Sequence, residues 1–245
     1  MADALLHVDN LGKRFGGFVA LDGINLEVAP GERVGLIGPN GSGKSTLVNC
    51  MCGTLTNETG TVRFDGYQMN GMSAHQRTHR GMARSFQLPR PFHTLSVAEN
   101  LRIPLLYSAH DRRGRHLTQA ESAARCEELA GLVGLAPKLH RLPRDLTQVE
   151  MRKLELARAI AADPKLLIAD EAMAGLSHSE VDDIVNLLLT LNSRGITVVM
   201  IEHIMRAVMA FSQRLVVLVS GKKIADGKPE DVVNNPEVIG AYLGQ

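Results

Sequence analysis

The sequence predicts an α/β fold in which strand–helix alternation is interrupted by an inserted helical block. Three observations predict it. An apolar strand pattern, Arg33-Val34-Gly35-Leu36-Ile37, passes through a glycine-rich turn into a helical stretch, Thr46-Leu47-Val48-Asn49-Cys50-Met51, the strand–turn–helix step of a parallel sheet. The alternation resumes at Lys165-Leu166-Leu167-Ile168-Ala169 and again at Ile196 to Ile201. Between these, from about residue 93 to 162, the apolar periodicity is helical. A chain of 245 residues that is 44% hydrophobic can bury one large core and still carry an inserted part.

In chain order, Leu5 to Val8, Phe18 to Leu21 and Ile24 to Val28 read as strands, and Pro30-Gly31 as the turn before the central strand. Phe15 sits in a polar stretch, Lys13-Arg14-Phe15-Gly16-Gly17. Taken alone it is either an ordinary edge aromatic or a face on which a nucleotide base stacks. Gly60 to Phe64 is another strand, and Ser73-Ala74-His75-Gln76 opens a short helix as a capping box. The prolines of Leu88-Pro89-Arg90-Pro91 end regular structure and make a linker. Ser96 to Glu99 and Thr118 to Glu121 are further capping boxes. Between them His110 to His116 reads as a solvated charged loop. Ser177 and Glu180 begin a helix that reaches about Ser193; Arg214 to Val219 and Lys222 to Ala225 are the last strands. Short helices near Pro229–Asn234 and Pro236–Tyr242 close the chain.

The chemistry concentrates in Gly38-Pro39-Asn40-Gly41-Ser42-Gly43-Lys44-Ser45-Thr46, which fits the phosphate-loop pattern in its required strand–loop–helix context. Its glycines let successive N–H groups face one concavity, and the helix behind adds partial positive charge. Lys44 can reach terminal phosphates and the Ser45 hydroxyl can ligate Mg²⁺. A nucleoside triphosphate is the expected ligand. Asp170-Glu171 follows an apolar strand, which sends both carboxylates out of the carboxyl edge of a parallel sheet, where ligands bind. Two acids after a strand are also ordinary loop residues; beside a phosphate loop they supply the second anchor of a Mg²⁺–nucleotide site. His203 ends the following strand. It is either structural or a γ-phosphate contact from the same edge.

Composition excludes other classes. The net charge of +1, the absence of Trp and the scarcity of aromatics speak against a nucleic-acid surface. Three cysteines, Cys50, Cys52 and Cys126, are too few and too badly spaced for a disulfide framework, and a reducing compartment is expected. Packing behind the phosphate loop is favoured over metal binding for Cys50 and Cys52. No signal peptide is visible, and the longest apolar runs are strand-sized, far short of the ~20 residues that span a bilayer. Work at a membrane therefore requires docking on another chain.

Together these residues resemble the ATP-binding subunit of an ABC transporter, over essentially the whole chain. The parts stand in the family's order: Phe15, the Walker A loop Gly38 to Thr46, a Q-loop Gln87, a helical subdomain, a signature region, the Walker B strand Leu166 to Glu171 and a switch His203. Arg14-Phe15-Gly16-Gly17, Ala83-Arg84-Ser85-Phe86-Gln87 and the tail Gly227 to Gly244 are similar to the ATPases of branched-chain (hydrophobic) amino acid importers, with urea importers and the lipopolysaccharide-export ATPase as close relatives. The resemblance implies a RecA-like core with an N-terminal antiparallel β subdomain, about 1–87 and 163–245, and a helical subdomain at about 88–162. It implies ATP and Mg²⁺ as ligands. Phe15 would stack on adenine and Lys44 would hold the β- and γ-phosphates. Ser45 and Gln87 would sit on Mg²⁺, Asp170 would hold its coordination shell, Glu171 would be general base and His203 would hold the γ-phosphate. Implied partners are a second ABC ATPase, transmembrane permease subunits and, indirectly, a periplasmic solute-binding protein. The implied location is peripheral, on the cytoplasmic face of the inner membrane.

The signature departs from the family. Where that family reads close to Leu-Ser-Gly-Gly-Gln, this chain has Leu146-Thr147-Gln148-Val149-Glu150. Thr147 keeps a hydroxyl, but Gln148 and Val149 replace both glycines, and Glu150 adds negative charge. Weak or asymmetric hydrolysis is expected, and a nucleotide-dependent binding module is the competing reading. Ala172 stands where the family usually has Pro, and Ser177 where it has Asp or Asn.

Overall fold

The computed structural model describes residues 4–109 and 117–243. The charged stretch His110 to His116 and Gly244 of the tail lie outside the described residues. In chain order the strands are β1 (Leu6–Phe15), β2 (Phe18–Val28), β3 (Arg33–Ile37), β4 (Thr59–Phe64), β5 (Tyr67–Gln68), β6 (Met82–Ser85), β7 (Leu166–Asp170), β8 (Thr197–Ile201), β9 (Arg214–Val219) and β10 (Lys222–Gly227). The helices are α1 (Lys44–Cys52), α2 (Ala74–Arg80), α3 (Val97–Pro104), α4 (Gln119–Leu132), α5 (Gln148–Ala161), α6 (His178–Ser193), α7 (Met205–Phe211), α8 (Pro229–Val233) and α9 (Pro236–Leu243).

Two sheets result. One is antiparallel, in the order β2-β1-β4-β5; the other runs β10-β9-β3-β8-β7-β6 and is parallel except for β10, which folds back on β9. Successive side chains of the central strands feed opposite faces. Leu167, Ala169, Val198, Met200, Leu215 and Val217 join one core with α3 to α7, while Leu166, Ile168, Val199, Ile201, Val216 and Leu218 join a second with α1 and the antiparallel sheet. Burial on both faces is why β7, β8 and β9 read as continuous apolar runs rather than alternating ones.

Helix starts follow the sequence signals. Ser73, Ser96 and Thr118 cap α2, α3 and α4, each in a capping box. At α6, Glu180 Oε2 accepts both the N–H and the hydroxyl of Ser177. Three elements differ from the sequence expectation. The two strands expected over residues 18–28 are one, β2, because Gly23 at φ 66 makes a bulge where the pairing with β1 shifts register, not a turn. β6, just before the proline linker, was not expected: it is a four-residue edge strand with Arg84 in its middle, so no apolar run announces it. α7 is short and its N-cap, Ile204, gives no side-chain cap, so it lacks a start signal. Phe15 also lies at the end of β1, not in a loop, paired with Phe18 across Gly16-Gly17.

Cys50, Cys52 and Cys126 are all buried thiols. Burial pushes the Cys50 thiol up to about 11 and the Cys52 thiol up to about 12. Among the described residues no group of three or more His, Cys, Asp or Glu side chains is gathered as a metal cluster, and no helix is long and apolar enough to cross a membrane.

Candidate active site

Parallel pairing puts the carboxyl ends of β3, β8, β7 and β6 along one edge: Leu36 is level with Ile201, Ile201 with Asp170, and Ala169 with Ser85. The residues that follow those ends are the Gly38–Gly43 loop, Glu202-His203, Glu171 and Phe86-Gln87. One sheet edge thus collects groups scattered over more than half the chain.

The loop is wedged in place. At Gly38, φ 150, a Cβ would fall 2.1 Å from the Leu218 carbonyl oxygen; at Gly43, φ 103, one would fall 2.7 Å from the Ala20 carbonyl oxygen. Only glycine fits both the backbone angle and the space. Gly221, in the β9–β10 turn, donates its N–H to Ser42 O at 3.0 Å and accepts from Asp22 N–H at 2.8 Å, so both sheets brace the loop. Lys44 is buried and curls back, its Nζ donating to Gly38 O at 2.6 Å and Pro39 O at 2.9 Å. Burial lowers its ammonium pKa, while the nearby Glu171 and Asp170 carboxylates oppose that shift. Ser45 is exposed and Thr46 half-buried at the start of α1.

The two acids after β7 have different surroundings. Asp170 is 5% exposed and is clasped by Arg84, with Nη2 at 2.5 Å and Nε at 3.1 Å; Arg84 Nη1 also donates to Asn49 Oδ1 of α1 at 2.7 Å. The expectation that both carboxylates leave the edge side by side therefore differs for Asp170, which is held inward by a guanidinium that no local pattern pairs with it. Glu171 is half-buried and takes φ 46, a left-handed backbone that costs a non-glycine residue about 1–3 kcal/mol. Its N–H is tied to Ile201 O at 2.9 Å, and its Oε2 accepts from Gln87 Nε2 at 2.5 Å. With Nε2 spent on Glu171, the Gln87 side-chain oxygen is the atom that could hold a metal. Together with the Ser45 hydroxyl and the Asp170 carboxylate it makes an all-oxygen donor set of the kind Mg²⁺ takes.

His203 is exposed, with Nδ1 3.9 Å from Glu202 Oε2. Burial pushes the Glu202 carboxyl above its ordinary range. Phe15 is 50% exposed, with Lys13 Nζ 5.3 Å from its ring centre. Thr147 caps α5: its hydroxyl accepts from Glu150 N–H, and Glu150 Oε2 accepts from Thr147 N–H at 2.7 Å. Glu150 also pairs with Lys138 at 2.7 Å. Burial raises its pKa, but the Lys138 and Thr147 hydrogen bonds outweigh that and hold it below the usual range. Gln148 reaches toward Ala174 O, and Val149 packs partly on the core. Sequence reading missed Arg84, Arg152 and Glu202 as parts of this edge. For Glu202 the adjacent His203 was a signal; for Arg84 there was none.

Residues 21–174 match the ABC transporter family, and residues 222–245 match the family of branched-chain amino acid ATP-binding cassette transporters. The high-affinity branched-chain amino acid transport ATP-binding protein BraF of Pseudomonas aeruginosa is 36% identical over 258 aligned positions, covering 100% of both chains. LivG of Escherichia coli, described in the same words, has the same identity and coverage. Among solved structures, a nucleotide-free ATP-binding cassette from an ABC transporter superposes with a TM-score of 0.87 at 30% identity, covering 99% of this chain and 100% of that one. The ADP conformation of an ATP-binding cassette superposes at 0.84 with 29% identity, covering 99% of each. The chain belongs to the ABC transporter family, as an ATP-hydrolysing, ATP-binding subunit of the branched-chain amino acid type.

Proposed function

We propose that this chain energises import of branched-chain or other hydrophobic amino acids, docking through about residues 87–160 on membrane-spanning permease subunits at the cytoplasmic face. The observation that carries the substrate class is the match of residues 222–245 to the branched-chain type, with full-length relatives described by that transport. Residues 1–87 and 163–245 act as the nucleotide-binding core.

At the edge, Phe15 stacks on adenine, and the Gly38–Gly43 amides with Lys44 hold the phosphates. Ser45 and Gln87 would hold Mg²⁺, with Asp170 supporting its shell, and the ion would neutralise charge on the phosphates. Glu171 takes the proton of the attacking water as its oxygen bonds to the γ-phosphorus and the bond to the β-bridging oxygen breaks. His203 steadies the γ-phosphate. Little covalent work falls to the protein beyond positioning and charge.

A second ABC ATPase completes the site by placing its signature against this chain's nucleotide. The signature of this chain, Thr147 to Glu150, carries no glycine, so hydrolysis at the site it serves is weak and the assembly is asymmetric. That same segment favours a second reading, a nucleotide-dependent binding module with little turnover. Co-expression with permease and second-ATPase chains separates the two. Co-purification and an ATPase rate raised by solute and its binding protein are expected for the importer. A chain that binds nucleotide, stays apart from the permease and does not turn over supports the module. Fast, cooperative hydrolysis by the purified chain alone would contradict the weak-signature reading.

A further inference from the structure

The turn from Glu171 to Leu176, between β7 and α6, is held from three sides. Glu171 N–H is tied to Ile201 O. Met173 N–H donates to Glu202 Oε1 at 2.9 Å. The Ala174 carbonyl accepts from Arg152 Nη2 at 3.2 Å and from Gln148 Nε2 at 3.5 Å, both on α5. Glu202 itself is 2% exposed, and its Oε2 accepts His203 N–H at 3.3 Å. One buried carboxylate therefore joins the backbone two residues past Glu171 to the backbone of His203.

Arg152 is 6% exposed, and its Nε and Nη1 have no hydrogen-bond partner among the described residues. The Glu202 and Glu155 carboxylates supply its compensating charge. A buried carboxylate, and a buried guanidinium with donors unspent, are costly in an apolar core. Both grip the Glu171–Leu176 turn, Glu202 through Met173 N–H and Arg152 through the Ala174 carbonyl.

We propose that Glu202 is a positioning residue for hydrolysis, fixing the Glu171 turn and the His203 loop in one register, with Arg152 clamping the same turn to the helix that begins at Thr147. The proposal rests on Glu171 and His203 acting as described above. The phosphate cradle belongs to β3 and α1, so losing Glu202 shifts the base and leaves nucleotide binding in place. A shift of about 1 Å in a reacting group costs on the order of 100-fold in rate.

The test compares Glu202→Gln, Glu202→Ala and Arg152→Met in the full chain assembled with the second ATPase. The Gln side chain keeps one acceptor for one of the two amides, and Ala keeps none. Single-turnover hydrolysis is expected to fall about 10-fold for Gln and about 100-fold for Ala, while the Kd of a fluorescent Mg-ATP analogue moves by less than about twofold. Arg152→Met reproduces the same split, which keeps the test open if a Glu202 variant does not fold. Amide hydrogen exchange should rise at Met173 and His203 while β3 stays protected. A rate unchanged in Glu202→Ala, or a Kd and thermal midpoint that worsen in step with the rate, overturns the positioning role. Failure of the unaltered chain to bind Mg-ATP, or of its assembly with the second ATPase to hydrolyse it, overturns the site reading instead.

Discussion

Gln87 Nε2 donates to Glu171 Oε2 at 2.5 Å, across 84 positions of sequence. The linker that leads into the helical part of the chain and the residue that closes β7 hold each other directly. Any displacement of the linker would be felt at the carboxylate proposed as general base, so the docking proposed at about residues 87–160 would have a short mechanical route to hydrolysis.

Glu171→Gln is the direct test of that base. The amide is the same size but accepts no proton. Single-turnover hydrolysis should fall by roughly 10²–10⁴-fold, with Mg-ATP affinity retained. An unchanged rate removes Glu171 from the role.

Arg84→Met should be among the more destabilising substitutions at this edge. Both side chains of the Arg84–Asp170 pair are largely buried, so removing the guanidinium leaves an uncompensated carboxylate. A loss of about 3 kcal/mol is expected from urea unfolding. Adding Asp170→Asn should recover part of it; a single variant as stable as the parent would mean the pair contributes nothing.

Thr147→Ala removes the cap of α5 and should cost about 1 kcal/mol in a denaturant titration, with Thr147→Ser restoring most of it. If Ala matches Thr, the hydroxyl is retained for contact with a partner's nucleotide and not for the helix.

The buried thiols set an alkaline limit. Burial raises Cys50 from 9.0 to about 11 and Cys52 from 9.0 to about 12. Because the folded values exceed the unfolded ones, the stability they contribute is complete below pH 9 and is lost as pH rises through 11 to 12. The urea midpoint should decline over that window, and less so in Cys52→Ala relative to its own value at pH 8. At pH 8 neither thiol should react with an alkylating reagent unless the chain unfolds.

Much of this edge was legible because its signals are local. The phosphate loop declares itself by glycine spacing next to a strand, and the caps at Ser73, Ser96 and Thr118 by a hydroxyl three residues before Gln or Glu. The Walker B strand shows as an apolar run ending in acids. What was hidden is non-local or too short to carry a pattern. Arg84 meets Asp170 only because β6 pairs with β7 in a given register, and the four residues of β6 are too few to show a period. Glu202 looked like a neighbour of His203; its partner, Met173 N–H, exists only once the turn after β7 is folded. α7 lacks a cap, so its buried Ala207, Val208 and Phe211 carried the only trace of it.

The left-handed backbone at Glu171 decides how this site can be interrogated. Asn and Gly enter that angle readily, whereas Val or Ile would have to rotate the peptide and drag the neighbouring carbonyl with it. A dead branched variant would therefore measure a bent main chain and not a missing proton acceptor. Chain geometry, as much as proton chemistry, limits which side chains evolution or an engineer can place at position 171.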